Sequence, residues 1–191
     1  MKVVIDTNSL LSLVRYYLPF DKKSVLFDFV KEKITNGEII IIDKVLEECS
    51  YNAKGLVIRT LTYLEDKAFM KVAKVPYKTE FILAPAPAKF LRQVENQFVN
   101  TVVRKQRGLT DTEFDNQKNN FLNNADIKQI ILCLNYIKDG EEVILVSEET
   151  ESNNDNKLFK KIPAICKELG IPTMTLPELL DKYDGINIHF K

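Results

Sequence analysis

Lys2-Val3-Val4-Ile5-Asp6-Thr7-Asn8-Ser9-Leu10-Leu11 decides the fold. Four β-branched or long apolar-stemmed residues make a short strand of the kind buried on both faces. The run stops at a cluster of helix-capping residues, and Leu10, Leu11, Leu13, Val14 and Leu18 then continue as a helix up to Pro19. The switch from strand to helix around an acidic residue is the unit from which open parallel sheets are built.

The same alternation recurs along the chain. Asp21 is expected to cap a helix carrying Leu26, Phe29, Val30 and Ile34, stopped by Asn36-Gly37. Ile39-Ile40-Ile41-Ile42 reads as a second buried strand, Asp43 as a cap, and Val45, Leu46 and Cys49 as the start of a helix. Residues 71–83 suit a strand or a loop. Ala84-Pro85-Ala86-Pro87-Ala88 punctuates, and Leu91, Val94, Phe98 and Val102 then predict one helix running to Gly108. Thr110-Asp111 can cap a helix through Phe114 and Phe121. Asn123-Asn124-Ala125-Asp126 opens a helix striped by Ile127, Ile130, Ile131, Leu134 and Ile137. Val143–Val146 is a third strand, followed by a polar loop over 150–157 and a helix from Ile162-Pro163 to Leu169, and Ile171–Thr175 is a fourth strand, followed by a last helix from Pro177. Strands alternating with helices predict an α/β sandwich with a mostly parallel sheet.

Composition narrows the function classes. The chain has 191 residues, 45% hydrophobic and 28% charged, which suits a single folded domain. Lys plus Arg and Asp plus Glu each number 27, so bulk charge alone would not hold a polyanion. Three Cys in apolar patterns, Cys49, Cys133 and Cys166, read as core residues of a reducing compartment. One His, His189 near the C-terminus, argues against imidazole-based zinc or triad chemistry. No apolar run reaches membrane-spanning length, and Asp6 interrupts any leader core, so a cytoplasmic location without membrane contact is expected.

Ligand sites in parallel sheets lie beyond the carboxyl ends of the strands. Asp6 follows the first strand, Glu148 and Glu149 follow the third, and Glu47 and Glu48 lie one turn after the Ile strand. Asp126 sits in the first turn of a helix, where the helix dipole favours an anion. Carboxylates gathered at one sheet edge repel one another unless a cation compensates, and oxygen-only donors suit Mg²⁺ or Mn²⁺ over zinc. Each acid taken alone also serves as an ordinary cap or solvated charge. Residues 84–110 add a local excess of base, with Lys89, Arg92, Arg104, Lys105 and Arg107 against Glu95.

In order and spacing these elements resemble the PIN domain family. Val3 to Leu11 is similar to that family's first strand with its Asp-Thr-Asn signature, and Val45-Leu46-Glu47-Glu48-Cys49 to its second acidic element. In that second element the acid precedes an apolar residue, which favours Glu48 over Glu47; Ala125-Asp126-Ile127 resembles the third, and Val143 to Glu149 the fourth, whose alignment favours Glu149 over Glu148. Ile162 to Pro172 resembles an uncharacterised bacterial branch of the family in particular. Two departures stand out: the fourth acid is Glu where Asp is common, and the aromatic residue that often follows it is absent until Phe159.

The resemblance implies a three-layer α/β/α sandwich, one domain over residues 1–191 with a helical insertion around 76–122. It implies a Mg²⁺- or Mn²⁺-dependent endoribonuclease, of the kind found as the toxin of a toxin–antitoxin pair. RNA would be the substrate; an antitoxin protein and a second copy of the chain are the implied partners. Asp6, Glu48, Asp126 and Glu149 would be both catalytic and metal-binding, with Asn8 and Ser147 fixing carboxylate rotamers. Arg92, Arg104, Lys105 and Arg107 form a candidate phosphate track. The alternative is a catalytically inactive PIN-like module that binds RNA or a protein. A phosphatase or nucleotide-binding reading is weaker, because no Gly-rich phosphate loop follows any strand.

Overall fold

A computed structural model describes residues 1–150 and 156–183. His189 and most of the polar loop expected over 150–157 lie outside the described residues. The sheet has four parallel strands: β1 (Lys2–Ile5), β2 (Ile39–Ile40), β3 (Val143–Val146) and β4 (Thr173–Met174), in the order β2-β1-β3-β4. Val3 pairs with Ile39 on one side and Ile144 on the other. Val3, Val4 and Ile5 are buried, as is all of β3, so helices cover both faces. This is the expected three-layer α/β/α sandwich. Each fully buried aliphatic side chain of β1 and β3 contributes on the order of 1.5–3 kcal/mol through removal from water.

The strand order reverses direction at β1. Chain leaves β1 for β2 on one side, and the later strands β3 and β4 are laid on the other. The crevice at the carboxyl ends of β1 and β3 is therefore the topological switch point, where such sheets bind ligands.

Around the sheet the first helices are α1 (Thr7–Ser12), α2 (Val25–Thr35) and α3 (Asp43–Tyr51). Next come α4 (Leu56–Thr60), α5 (Lys67–Ala73), α6 (Pro87–Gln93) and α7 (Thr101–Gln106). The series ends with α8 (Asp111–Leu122), α9 (Ala125–Lys138), α10 (Ile162–Leu169) and α11 (Leu176–Lys182). Local sequence explains the well-defined starts. Thr110 and Glu113 form a capping box on α8, and Asn124 accepts from the Ile127 amide at the head of α9. Gly37 and Gly170 end α2 and α10 with positive φ.

Three local expectations are corrected. The single helix expected from Leu91 to Gly108 is broken: α6 unwinds through a π-helical turn over Val94–Phe98, Val99 is extended, and α7 restarts from Asn100 as its cap. The cause is non-local. Val99 bridges Phe159, the Asn100 amide donates to the Leu158 carbonyl at 2.7 Å, and the Lys160 amide to the Phe98 carbonyl at 2.8 Å. The four-Ile strand keeps only Ile39 and Ile40 in the ladder, because Ile41 and Ile42 turn to Tyr77: the Tyr77 amide donates to the Ile41 carbonyl at 2.9 Å. Asp43 is not the cap of α3. Its carboxylate instead accepts from the Thr79 hydroxyl and, at 3.0 Å, from the Thr79 amide, tying down the 76–83 connection.

Among the described residues no helix is long and apolar enough to cross a membrane.

Candidate active site

Asp6 is the first residue past β1, and its amide still donates to the Val146 carbonyl of β3 at 2.9 Å. That bond pins it into the switch-point crevice. Its carboxylate is only 3% exposed. Burial pushes its pKa up, against hydrogen bonds from Gln129, the Thr7 and Asn8 amides and Ser147 that pull it down. Gln129 Nε2 donates to Asp6 Oδ1 at 3.2 Å, and Ser147 Oγ to Oδ2 at 3.4 Å.

Three further acids come to this point from separate elements. Glu48 is carried by the middle of α3 and receives the Thr7 hydroxyl at 2.6 Å. Burial raises its pKa, the Thr7 bond opposes, and the charges of Asp6 and Glu47 raise it further. Asp126 stands in the first turn of α9 and is pushed up to about 7 by burial and by the charges of Asp6, Glu149 and Glu48, with Lys157 opposing. Asp6, Glu48, Asp126 and Glu149 thus form one electrostatic cluster centred on Asp126.

The neighbouring acids differ. Glu47 points outward to Lys44 at 3.2 Å. Glu148 accepts from the Ser9 hydroxyl at 3.2 Å and the Leu176 amide at 2.8 Å, so it serves the start of α11. Glu149 lies beside Asp126 while one oxygen accepts from the Ile162 amide at the head of α10, at 3.3 Å. Asn8 contributes to Asp6 through its main chain, while its side chain is exposed. Ser147 links two acids, donating to Asp6 and accepting from the Glu149 amide at 3.2 Å.

Two participants were not singled out in the sequence. Thr7 was read only as a capping residue, yet its hydroxyl holds Glu48. Gln129 is fully buried, and its polar side chain interrupts an otherwise apolar stripe three positions after Asp126, on the same helix face. That interruption is the signal that would have found it.

Of the basic residues expected as a phosphate track, Arg92 lies on α6, and Arg104, Lys105 and Arg107 lie on α7 and its C-cap. Arg92 is exposed on α6, whereas Arg104 lies on α7 over the Phe114 ring at 3.8 Å and pairs with Asp111 at 3.1 Å. Lys105 is exposed, and Arg107 donates to the Asn156 carbonyl.

The donors available to a ligand in the crevice are carboxylate, hydroxyl and amide oxygens. Cys49 and Cys166 pack beneath the acids with thiols pushed up to about 12 by burial and by those same charges, so they stay protonated. Gln129 Oε1, next to Asp6, is buried without a partner, an acceptor that a bound water would satisfy. Like-charged, half-buried oxygens of this kind fit a hard divalent cation. Among the described residues no three acidic, His or Cys side chains are gathered in ligating geometry; Glu48 accepts from the Thr7 hydroxyl and Glu149 from the Ile162 amide.

Neither a curated protein nor a solved structure matches the chain. A family model does match residues 78–185, a stretch that carries Asp126, Ser147 and Glu149 and begins after Asp6 and Glu48. By that match over more than half its length, the chain belongs to the family described as Domain of unknown function (DUF4411).

Proposed function

We propose that the crevice is the active centre of a PIN-like, Mg²⁺- or Mn²⁺-dependent endoribonuclease. The observation that carries the reading is that Asp6, Glu48 held by Thr7, Asp126 and Glu149 linked through Ser147 lie around the switch point, where burial first and then the charges of the other three push Asp126 up to about 7. Asp6 and Asp126 would hold the cation, with Glu149 completing the donor set. A bound divalent cation supplies Lewis-acid polarisation of the phosphodiester and neutralises the gathered charge. Ser147, Gln129 and the Thr7 and Asn8 amides fix the Asp6 rotamer. Glu48, held by the Thr7 hydroxyl, would orient an attacking water and take its proton. Toxin activity, an antitoxin partner, self-association and a cytoplasmic location belong to the same reading.

Purified protein with single-stranded RNA and Mn²⁺ tests it. Asp6→Asn and Asp126→Asn are expected to lower cleavage at least about a hundredfold. Full metal-dependent cleavage by both variants would place the chemistry elsewhere. The second reading, a non-catalytic RNA- or protein-binding module, is favoured by one observation: Glu149 is partly spent on the Ile162 amide. RNA binding without any cleavage in Mg²⁺ or Mn²⁺ would decide for it.

A further inference from the structure

At the outer edge of β2, away from the crevice between β1 and β3, lies a cavity of about 220 Å³. The ladder fixes which main-chain groups face it. The Val3 amide donates to the Glu38 carbonyl at 2.7 Å, so Glu38 and Ile40 face β1, and Ile39 and Ile41 face outward. The Ile41 carbonyl accepts from the Tyr77 amide, where the chain returns alongside β2. Before that point the returning segment Ala73-Lys74-Val75 forms the opposite wall without joining the ladder, and the Val75 amide donates to the Met70 carbonyl instead. Among the described residues the Ile39 amide, the Ile39 carbonyl and the Ile41 amide therefore have no partner, although both residues are buried. Main-chain groups so placed are rarely left unpaired.

The walls suit something flat. The chain lays β2 on one side of β1 and β3 on the other, so right-handed crossovers put α2 and α9 on opposite faces of the sheet. Ile34 of α2 and Tyr136 of α9 both line the cavity, one from each side of the sheet plane. Charge is mixed around it: Lys2 and Lys74 line it, Lys2 donating to the Gly37 carbonyl at 2.9 Å, while Glu141 acts on Tyr136 and the Glu142 carbonyl accepts from the Lys2 amide. Selection therefore falls to hydrogen bonding and shape.

We infer that this cavity takes the base of a free nucleotide, the ring lying in the sheet plane between Ile34 and Tyr136 with its pairing edge on the Ile39 carbonyl and the Ile41 amide. A carbonyl and an amide two residues apart on one strand edge match a ring that carries a donor beside an acceptor. Isolated bases are held by such edge hydrogen bonds together with packing between apolar or aromatic side chains. The site is separate from the acids and independent of the nuclease reading, which its failure would leave untouched.

The test is amide NMR of the full ¹⁵N-labelled chain, titrated singly with AMP, GMP, CMP and UMP. At least one of them is expected to give saturable downfield shifts of the Ile39 and Ile41 amides at millimolar concentration or below. The base protons should show contacts to the Ile34 methyls and the Tyr136 ring. Ala73→Leu, which fills the cavity from α5, is expected to weaken that binding at least about tenfold. No shift of the Ile39 and Ile41 amides with any of the nucleotides would overturn the inference. So would shifts centred on Asp6 and Asp126, or binding of wild-type strength by an Ala73→Leu chain with an otherwise native spectrum. Should Ala73→Leu not fold, the contacts to Ile34 and Tyr136 in wild type decide alone: their presence upholds the site and their absence overturns it.

Discussion

Gln129 and Asp6, 123 positions apart in sequence, meet inside the fold, with Gln129 Nε2 donating to Asp6 Oδ1 at 3.2 Å. Both are buried. The bond joins the end of β1 to the first turns of α9 and leaves Asp6 a fixed rotamer facing the other acids. A hydrogen bond to a charged group contributes roughly 1.5–3 kcal/mol, and removing it leaves buried Asp6 with one fewer compensating donor. Gln129→Leu is therefore expected to lower the melting temperature by roughly 4–10 °C, measured by differential scanning calorimetry. An unchanged melting temperature would mean that Asp6 finds its support elsewhere.

The acid cluster sets the sign of the pH dependence. Asp6, Glu48 and Asp126 all have pKa values raised in the folded chain, Asp126 to about 7 from an ordinary 3.8. Below about pH 4 the groups are protonated whether folded or unfolded, and they contribute no difference. Between there and about pH 7 the unfolded chain ionises first, so the fold loses stability as pH rises. Without divalent cations the melting temperature is expected to fall by several degrees from pH 5 to pH 8, and millimolar Mn²⁺ to restore it at pH 8. A metal-free melting temperature that rises over this range would contradict the clustering.

Asp126→Asn follows from the same repulsion. It removes one negative charge from a site where the others raise its pKa. The variant is expected to melt roughly 3–8 °C higher than wild type at pH 8 without metal, and to lose cleavage. Lower stability combined with retained cleavage would show that Asp126 is a structural cap.

Asp43 behaves in the opposite sense. Burial works to raise its pKa, but the Thr79 hydroxyl and the Thr79 and Lys44 amides outweigh it and hold the carboxyl below its ordinary range. Its contribution is present above the unfolded pKa and is lost as pH falls through the folded one. Thr79 is only 1% exposed, so Thr79→Val is expected to cost about 1–3 kcal/mol and to open the 76–83 connection to proteolysis. Equal proteolytic rates for variant and wild type would show that Tyr77 alone anchors it.

What was legible in the sequence was local. β1, β3 and the capped starts of α8 and α9 announce themselves through β-branched runs and capping residues within a few positions of one another. Asp6 and Asp126 were legible because each lies at a strand or helix end, and Glu48 because it follows the Ile strand by about one helical turn. The break at Val99 was not, because the stripe Leu91, Val94, Phe98, Val102 fits an unbroken helix and only pairing with Phe159, 60 positions on, opposes it. The shortening of the four-Ile strand likewise depends on Tyr77, whose pairing leaves no local trace.

The central claim is that four carboxylates from distant segments are held together for a divalent cation. Calorimetric titration of Mn²⁺ at pH 6.5, repeated in two buffers of different ionisation enthalpy, tests it most directly. Saturable binding with release of a proton from Asp126 is expected, the release shrinking toward pH 8 and both signals vanishing in Asp6→Asn with Asp126→Asn. Absence of binding by wild type, or binding of equal strength in the double variant, would contradict it.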